Sequence, residues 1–259
     1  MNRLVLVLIL ISSMLFSQEN NYAFGYRLTY KPDSTDIFNT KSEDFTLFVN
    51  NEKSYFLSDN FLKRDSAIKA LAKAQSLDFT KAPKTRFKYI VLKSKKDKNL
   101  VLYDNILKYY FSYPESPEFN WKLSNETMKI GNLNCSKAET VYAGRTWVAW
   151  YTKDIPVNDG PYKFNNLPGL IIKVSDSENN FDYELISIKK SNLPNNQLFQ
   201  EVYLKKHKEI SREDYLKTLK NINDNIINEA ARSGLSVAPE SVELVKANLK
   251  KRNNPIELK

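Results

Sequence analysis

The chain has 259 residues, and its 39 basic and 30 acidic residues give a formal net charge of +9 at pH 7. One cysteine and one histidine exclude an internal disulfide and the clustered ligands of the usual zinc sites, and the six glycines form no phosphate-binding loop. We therefore predict no cofactor and no metal and, because the charge excess is moderate, no nucleic-acid partner.

The first residues have the order positive, apolar, small and polar that is typical of a secretory signal peptide. Arg3 precedes an apolar run of 13 residues from Leu4 to Phe16, and Ser17 supplies the small residue before the cut. The alternative is a membrane anchor, but a spanning helix needs roughly 20 apolar residues. We predict that residues 1–17 are removed and that the protein is exported to the periplasm, with secretion or outer-membrane association as alternatives.

Apolar residues recur at every second position in short runs from Gly25 to about Lys190, which predicts β-strands. Most connectors are too short to hold a crossover helix, so neighbouring strands should be antiparallel. We predict a mainly β (α+β) fold, a curved antiparallel sheet or half-open barrel, with residues 18–190 as its β domain. The runs cover residues 26–30, 45–49, 55–57, 87–92, 100–103, 108–113, 128–130, 136–142, 146–152, 170–174 and 183–188.

Helical spacing appears in two places. Residues 65–76 predict a short helix inserted between strands, and residues 191–259 predict a helical extension packed on the same domain. In this extension an S-x-x-D start signal at Ser211 opens one helix that Gly234 should end, and a second helix should run from Pro239 to Lys251.

One dense basic stretch runs from Lys81 to Lys98, with eight Lys or Arg residues against one acidic residue. Apolar residues alternate within it, which favours a strand with one solvated face. The alternative is contact with a phosphate-rich partner such as lipopolysaccharide or anionic lipid, because clustered cations raise the local potential. Peripheral membrane contact through this stretch is therefore an open hypothesis.

The segment from Cys135 to Val174 combines an aromatic strand pair with a loop rich in proline and glycine. Proline fixes φ and glycine permits positive φ, so this loop should be rigid. Beside Arg145, Trp147 and Trp150 it could form a binding ledge. The alternative is that the two tryptophans, on opposite faces of one strand, serve packing.

No catalytic constellation stands out. His207 is the one histidine, and the chain has no G-x-S-x-G turn that would mark a serine nucleophile. Cys135 lies in an alternating segment, which predicts a buried thiol used for packing. Carboxylates such as Asp154 or Asp159 near Arg145 remain as the basis of an alternative, a hydrolase of envelope material.

Several motifs surround the proline- and glycine-rich loop: C-x-K-A from Cys135, GR-x-W-x-AWY from Gly144, GPYKF from Gly160, NLPGLI from Asn166 and NPIEL from Asn254. With them the chain resembles the GLPGLI family of exported Bacteroidetes proteins. The resemblance implies export and no established activity. Asn166 stands where the family name has glycine, which predicts a left-handed turn position, because asparagine best replaces glycine there.

The same resemblance gives meaning to two D-[S/T]-apolar triplets, which are similar to the O-glycosylation signal of that phylum. They predict modification at Ser34 and Ser66.

We expect a non-enzymatic periplasmic binding or interaction protein that holds a lipid-like ligand, a peptide or an outer-membrane protein. A hydrolase and a structural accessory of an outer-membrane complex are the alternatives. The predicted binding residues are Arg145, Trp147, Trp150, Tyr151, Asp159, Pro161, Phe164, Leu167 and Pro168.

Overall fold

The computed structural model of the protein describes residues 21–75, 78, 81–97, 99–191 and 203–258, together with the backbone but not the side chain of Ala72. The predicted signal peptide, residues 1–17, lies outside the described residues, as do residues 192–202 of the predicted helical extension. Within the described residues, no helix combines the length and the apolar character needed to cross a bilayer.

The described strands form one mixed sheet in the order β12-β6-β5-β4-β3-β2-β1-β11-β10-β9-β8-β7, which does not close into a barrel. The predicted mainly β fold with a curved sheet is thus confirmed, and of the two predicted forms the sheet stays open. The strands are β1 Tyr22–Tyr30, β2 Lys41–Val49, β3 Lys53–Ser58, β4 Ile90–Ser94, β5 Leu100–Ile106, β6 Tyr109–Glu115, β7 Lys122–Ile130, β8 Leu133–Tyr142, β9 Arg145–Thr152, β10 Leu170–Asp176, β11 Phe181–Lys190 and β12 Lys208–Glu209.

β1 lies at the middle of the sheet, where it pairs antiparallel with β2 on one side and with β11 on the other. Its alternating side chains Phe24, Tyr26, Leu28 and Tyr30 are buried, as the period of two requires. These side chains pack with those of the neighbouring strands into the main hydrophobic core. The two halves of the sheet therefore share one interior.

The predicted inserted helix is present as α1, Asp59–Lys73, and begins six residues earlier than the apolar spacing indicates. It starts directly after β3, where the hydroxyl of Ser58 accepts a hydrogen bond from the backbone N–H of Phe61 at 3.2 Å. This cap, together with a hydrogen bond from Thr46 to Asp59 at 2.7 Å, fixes the first turn.

The strand predicted over residues 87–92 was displaced, since β4 covers Ile90–Ser94. Phe87 and Tyr89 pack against the core ahead of the strand. The solvated face predicted for this stretch was also wrong at Lys93, which is buried because its ammonium is paired with Asp159.

The C-terminal helices begin where the sequence predicts, with Ser211 accepting a capping bond from the backbone N–H of Asp214 at 3.0 Å. The first predicted helix is divided at Asn225 into α2, Arg212–Asp224, and α3, Ile226–Arg232. A 3-10 turn over Pro239–Ser241 then leads into α4, Val242–Lys250.

Residues 253–258, which we call the C-terminal strap, return to the sheet. The backbone N–H of Asn254 donates to Pro32 at 3.3 Å, and that of Leu258 donates to Ala143 at 2.8 Å. The strap therefore links the end of β1 to the turn between β8 and β9.

Candidate functional site

Arg145, a predicted binding residue at the start of β9, is buried and holds the C-terminal strap. Its guanidinium donates to Asp176 at 3.0 Å, to the side chain of Asn254 at 2.6 Å and to the backbone carbonyls of Pro255 and Ile256 at 2.7 and 3.1 Å. The fork geometry of arginine suits several acceptors at once. The side chain of Arg145 therefore stabilises the fold.

Lys163, in the GPYKF segment, is fully buried at the centre of a second charged cluster. Its ammonium lies 2.5 Å from a carboxylate oxygen of Glu115 and 2.5 Å from one of Glu257, and Arg212 pairs with the other oxygen of Glu257 at 2.7 Å. Burial raises the pKa of Glu257, but the charge of Lys163 and the hydrogen bonds to the Glu257 carboxylate outweigh this effect. The pKa of Glu257 is lowered to about 2. The cluster fixes the strap from its far end. Two tyrosine hydroxyls also donate to Glu257, those of Tyr142 and Tyr162.

The predicted ledge is mostly interior. Trp147 is fully buried, its ring lies 4.7 Å from that of Phe164, and its indole N–H donates to the carbonyl of Tyr142 at 3.2 Å. Of the nine predicted binding residues Trp150 is half-buried and Pro168 exposed, while seven are buried: Arg145, Trp147, Tyr151, Asp159, Pro161, Phe164 and Leu167.

The turn geometry predicted at Asn166 is confirmed, because its φ is +67°. Gly169 in the same motif has a φ of +145°, and a Cβ there would lie 1.9 Å from the carbonyl oxygen of Thr152. The motif glycine is therefore required by the close approach of two backbone segments.

Asp159 forms a buried ion pair with Lys93 at 2.5 Å and also accepts from the backbone N–H of Gly160 at 2.8 Å. Burial lowers the pKa of Lys93, and the charge of Asp159 opposes that effect. The exposed Asp154 accepts from the backbone of Asn134 at 3.3 Å. Arg145, Asp154 and Asp159, which the hydrolase hypothesis brought together, thus have separate partners.

A different concave region lies between the loop after β1, the segment before β4 and the end of α4. It encloses about 650 Å³. Five cationic side chains surround it against two acidic ones, Asp33 and Glu43, and among the described residues none of the five forms an ion pair. We call this region the basic groove, and its cations are Lys41, Lys84, Arg86, Lys251 and Arg252.

Arg86 and Arg252 are the central pair of the basic groove. The guanidinium of Arg86 lies over the rings of Tyr30 and Phe87, at 5.5 and 5.9 Å from their centroids. Partial burial and, after it, the positive charge of Arg86 lower the pKa of Arg252. The two cations thus repel each other across the groove.

Glu43, like Asp33, is a buried acidic residue of the groove. Its carboxylate accepts hydrogen bonds from Ser58 and, at 2.5 Å, from Thr85. Burial raises the pKa of Glu43, and these hydrogen bonds oppose that effect.

A second cavity of about 590 Å³ adjoins the basic groove and shares Thr85, Arg86 and Arg252 with it. Its polar lining includes Asp104, whose pKa is raised by burial although Tyr215 donates to it at 2.6 Å. Lys88, Asn105 and Asn223 are its other polar residues, the rest of the lining is apolar, and we call the cavity the apolar chamber. Its apolar residues are Ile106, Leu107, Leu219, Ile226, Leu249 and Pro255.

Cys135 is buried as predicted, and burial raises the pKa of its thiol. His207 is half-buried between the rings of Tyr103 and Tyr110, and burial lowers its pKa. In the part of the chain that the structure describes, no group of three or more His, Cys, Asp or Glu residues could hold a metal ion.

Both predicted glycosylation residues are exposed. Ser34 lies in the loop after β1, where its hydroxyl donates to Asn253 at 2.9 Å, and Ser66 lies on α1. Modification at these two residues stays a prediction.

The sequence alone indicated only part of the basic groove. Lys84 and Arg86 belong to the basic stretch whose contact with a phosphate-rich partner was an open hypothesis. Lys251 and Arg252 are more than 160 residues away along the chain, and no local pattern shows that they face the same cavity.

Residues 139–173 match the model of a family described as a protein of unknown function, Porph_ging. This short match falls on the segment that carries most of the GLPGLI-like motifs, and the GLPGLI name itself stays a prediction. No curated protein matches the chain.

Among solved structures, the fold is similar to that of PNGF-II in crystals of space groups C2 and P21. The TM-scores are 0.55 and 0.53, and the sequence identities are 17% and 19%. Each likeness covers 76% of this chain and 32% of the PNGF-II chain, so this chain spans about a third of the length of PNGF-II. At these identities the likeness shows the fold alone.

Proposed function

We propose that the protein is an exported, non-enzymatic binding protein and that its ligand is an anion held in the basic groove. The observation that carries the proposal is the concentration of five cations around one concavity without an ion pair among the described residues. Phosphate, sulfate and carboxylate groups are the ligands that Arg and Lys bind through charge-assisted hydrogen bonds.

Some cations elsewhere on the surface form ion pairs. Lys173 pairs with Asp182 and Glu184, and Arg27 pairs with Asp44. A concave surface lined by one sign of charge focuses the field and attracts the opposite charge. The repulsion between Arg86 and Arg252 would be relieved by an anion placed between them.

Export and a periplasmic location belong to the same proposal. They are supported by the signal-like residues 1–17 and by the resemblance to an exported family. Binding is favoured over hydrolysis because Arg145, the cation of the hydrolase hypothesis, already donates hydrogen bonds to Asp176 and to the C-terminal strap. The binding site also moves from the predicted ledge, which is mostly interior, to the basic groove.

The test is a calorimetric titration of the chain lacking residues 1–17 with pyrophosphate, at 50 and 200 mM NaCl. We expect saturable binding that weakens as salt rises, because the contacts are ionic. The double variant Arg86→Gln with Arg252→Gln should bind at least about tenfold more weakly, since a hydrogen bond to a charged group contributes about 1.5–3 kcal/mol.

The matched control is Arg27→Gln with Lys173→Gln, which removes two positive charges from outside the groove. Its affinity for pyrophosphate should stay within about twofold of the parent chain. Absence of saturable binding, or an equal loss in both double variants, would overturn the proposal.

A further inference from the structure

We infer that the ligand of the basic groove is an amphiphile, with its anionic head group between Arg86 and Arg252 and its acyl chain in the apolar chamber. This inference rests on the proposed anion-binding function and specifies the chemical class of the ligand.

The first support is the way the two cavities meet. Arg86 and Arg252 line both of them, so the cationic pair stands at the boundary between the polar groove and a cavity that has six apolar residues beside Lys88, Asp104, Asn105 and Asn223. A head group at this boundary would neutralise the two guanidiniums, and a chain attached to it would enter the apolar chamber. Each cavity lies within the range of about 300–1,000 Å³ that is typical of small-molecule sites.

The second support is the continuation of the apolar chamber under α4. A third cavity of about 640 Å³ shares Asn223, Ile226 and Leu249 with the chamber. Ile227 and Val242 add to its apolar lining, and its other residues are polar or charged: Asp224, Asn225, Asn228, Lys246 and Lys250. The three cavities therefore follow one another from the basic groove to the start of α4. A ligand with an extended acyl chain fits this row of cavities better than a compact anion does.

The third support is the packing of α4 itself. None of its described residues is buried, although Val242 and Leu249 face the cavities. A helix with one apolar side normally buries that side against another element. An acyl chain beneath α4 would supply the apolar contact that the helix lacks.

The experiment measures the affinity of the same chain for hexyl phosphate and dodecyl phosphate, each below its micelle concentration, with dodecyl maltoside as the uncharged counterpart. We expect dodecyl phosphate to bind at least about tenfold more tightly than hexyl phosphate, because longer chains bury more apolar surface. Dodecyl maltoside should bind at least about tenfold more weakly than dodecyl phosphate, because it lacks the anion.

Two variants of α4 test where the acyl chain of the ligand lies. Leu249→Gln changes a residue that lines the apolar chamber, and Leu244→Gln changes an exposed residue of α4 outside it. Leu249→Gln should weaken dodecyl phosphate at least about tenfold and leave pyrophosphate unchanged, and Leu244→Gln should affect neither. Urea unfolding of both variants checks that they are folded, and Leu249→Ala replaces Leu249→Gln if the latter is not.

The outcomes separate the two claims. If pyrophosphate binds but chain length has no effect, or if the two leucine variants behave alike, the amphiphile is excluded and the ligand is a soluble anion. If no anion binds at all, the proposed function fails, and the inference fails with it.

Discussion

At the C-terminal strap, Arg145, Lys163 and Arg212 each meet a carboxylate, whereas at the basic groove Arg86 and Arg252 form no ion pair within the described residues. The difference between the two regions follows from how far their cations are exposed to solvent. A buried charge must be paired, because its desolvation is otherwise too costly, while a cation at an open cavity can stay unpaired in water. The paired cations near the most distinctive motifs thus serve the fold, and the unpaired ones are free to bind.

The largest expected effect is on the paired side. Lys163→Met should lower the free energy of unfolding by about 3–5 kcal/mol, because it leaves the carboxylates of Glu115 and Glu257 buried without their central cation. Urea unfolding at pH 7 measures this. Lys173→Met, which removes a partly exposed ion pair, should cost less than about 1 kcal/mol. Equal costs would erase the distinction between the two regions.

The next effect depends on pH. The pKa of Glu257 is lowered to about 2 in the folded protein, so its charge stabilises the fold above its usual pKa, and this stabilisation is lost as the pH falls toward 2. Glu257→Gln should therefore destabilise by about 3 kcal/mol at pH 7 and by progressively less below about pH 4.5. Unfolding curves of both proteins between pH 2.5 and 7 test this. A difference that does not change with pH would contradict the assignment.

A smaller effect is expected where the strap is held through the neutral side chain of Asn254. Asn254 accepts from Arg145 at 2.6 Å and donates to the carbonyl of Lys31 at 2.9 Å. Asn254→Ala should cost about 1–3 kcal/mol, because buried polar groups lose their partner. Amide hydrogen exchange at Leu258 should become faster, since the strap is released. The exposed Asn228→Ala serves as the control, and an unchanged exchange rate would show that the strap does not depend on Asn254.

The smallest effect belongs to the basic groove. Arg252→Gln should change the free energy of unfolding by no more than about 0.5 kcal/mol, because Arg252 has no carboxylate partner among the described residues and its pKa is already lowered by burial and by Arg86. Thermal and urea unfolding both report this. A loss above about 1.5 kcal/mol would mean that Arg252 is a structural cation like Arg145.

The sequence predicts features that depend on neighbours along the chain. Alternation located the strands, the S-x-x-D signal located the start of α2, and the replacement of glycine by asparagine revealed the left-handed turn at Asn166. It could not reveal that Arg145 meets Asn254, since the two are 109 residues apart. The buried role of Lys93 was missed for the same reason, because its partner Asp159 is 66 residues away.

The break at Asn225 and the early start of α1 have another origin. At Asn225 the backbone leaves the helical region, with a φ of −112° and a ψ of 26°. The first turn of α1 is set by Ser58 and Thr46, which belong to strands. Periodicity therefore finds the body of a helix more reliably than its ends.

The central position of β1 has a consequence for how the chain folds. β2 follows β1 closely, but the other neighbour of β1 is β11, where Tyr22 is opposite Lys190. Until β11 has been synthesised and has reached β1, a strand carrying Phe24, Tyr26 and Tyr30 has one open edge onto which another chain can add. Closing a loop of this length is slow compared with forming hairpins. The order of synthesis therefore leaves this edge of β1 unpaired until late in folding, and unpaired strand edges are the surfaces at which folding intermediates aggregate.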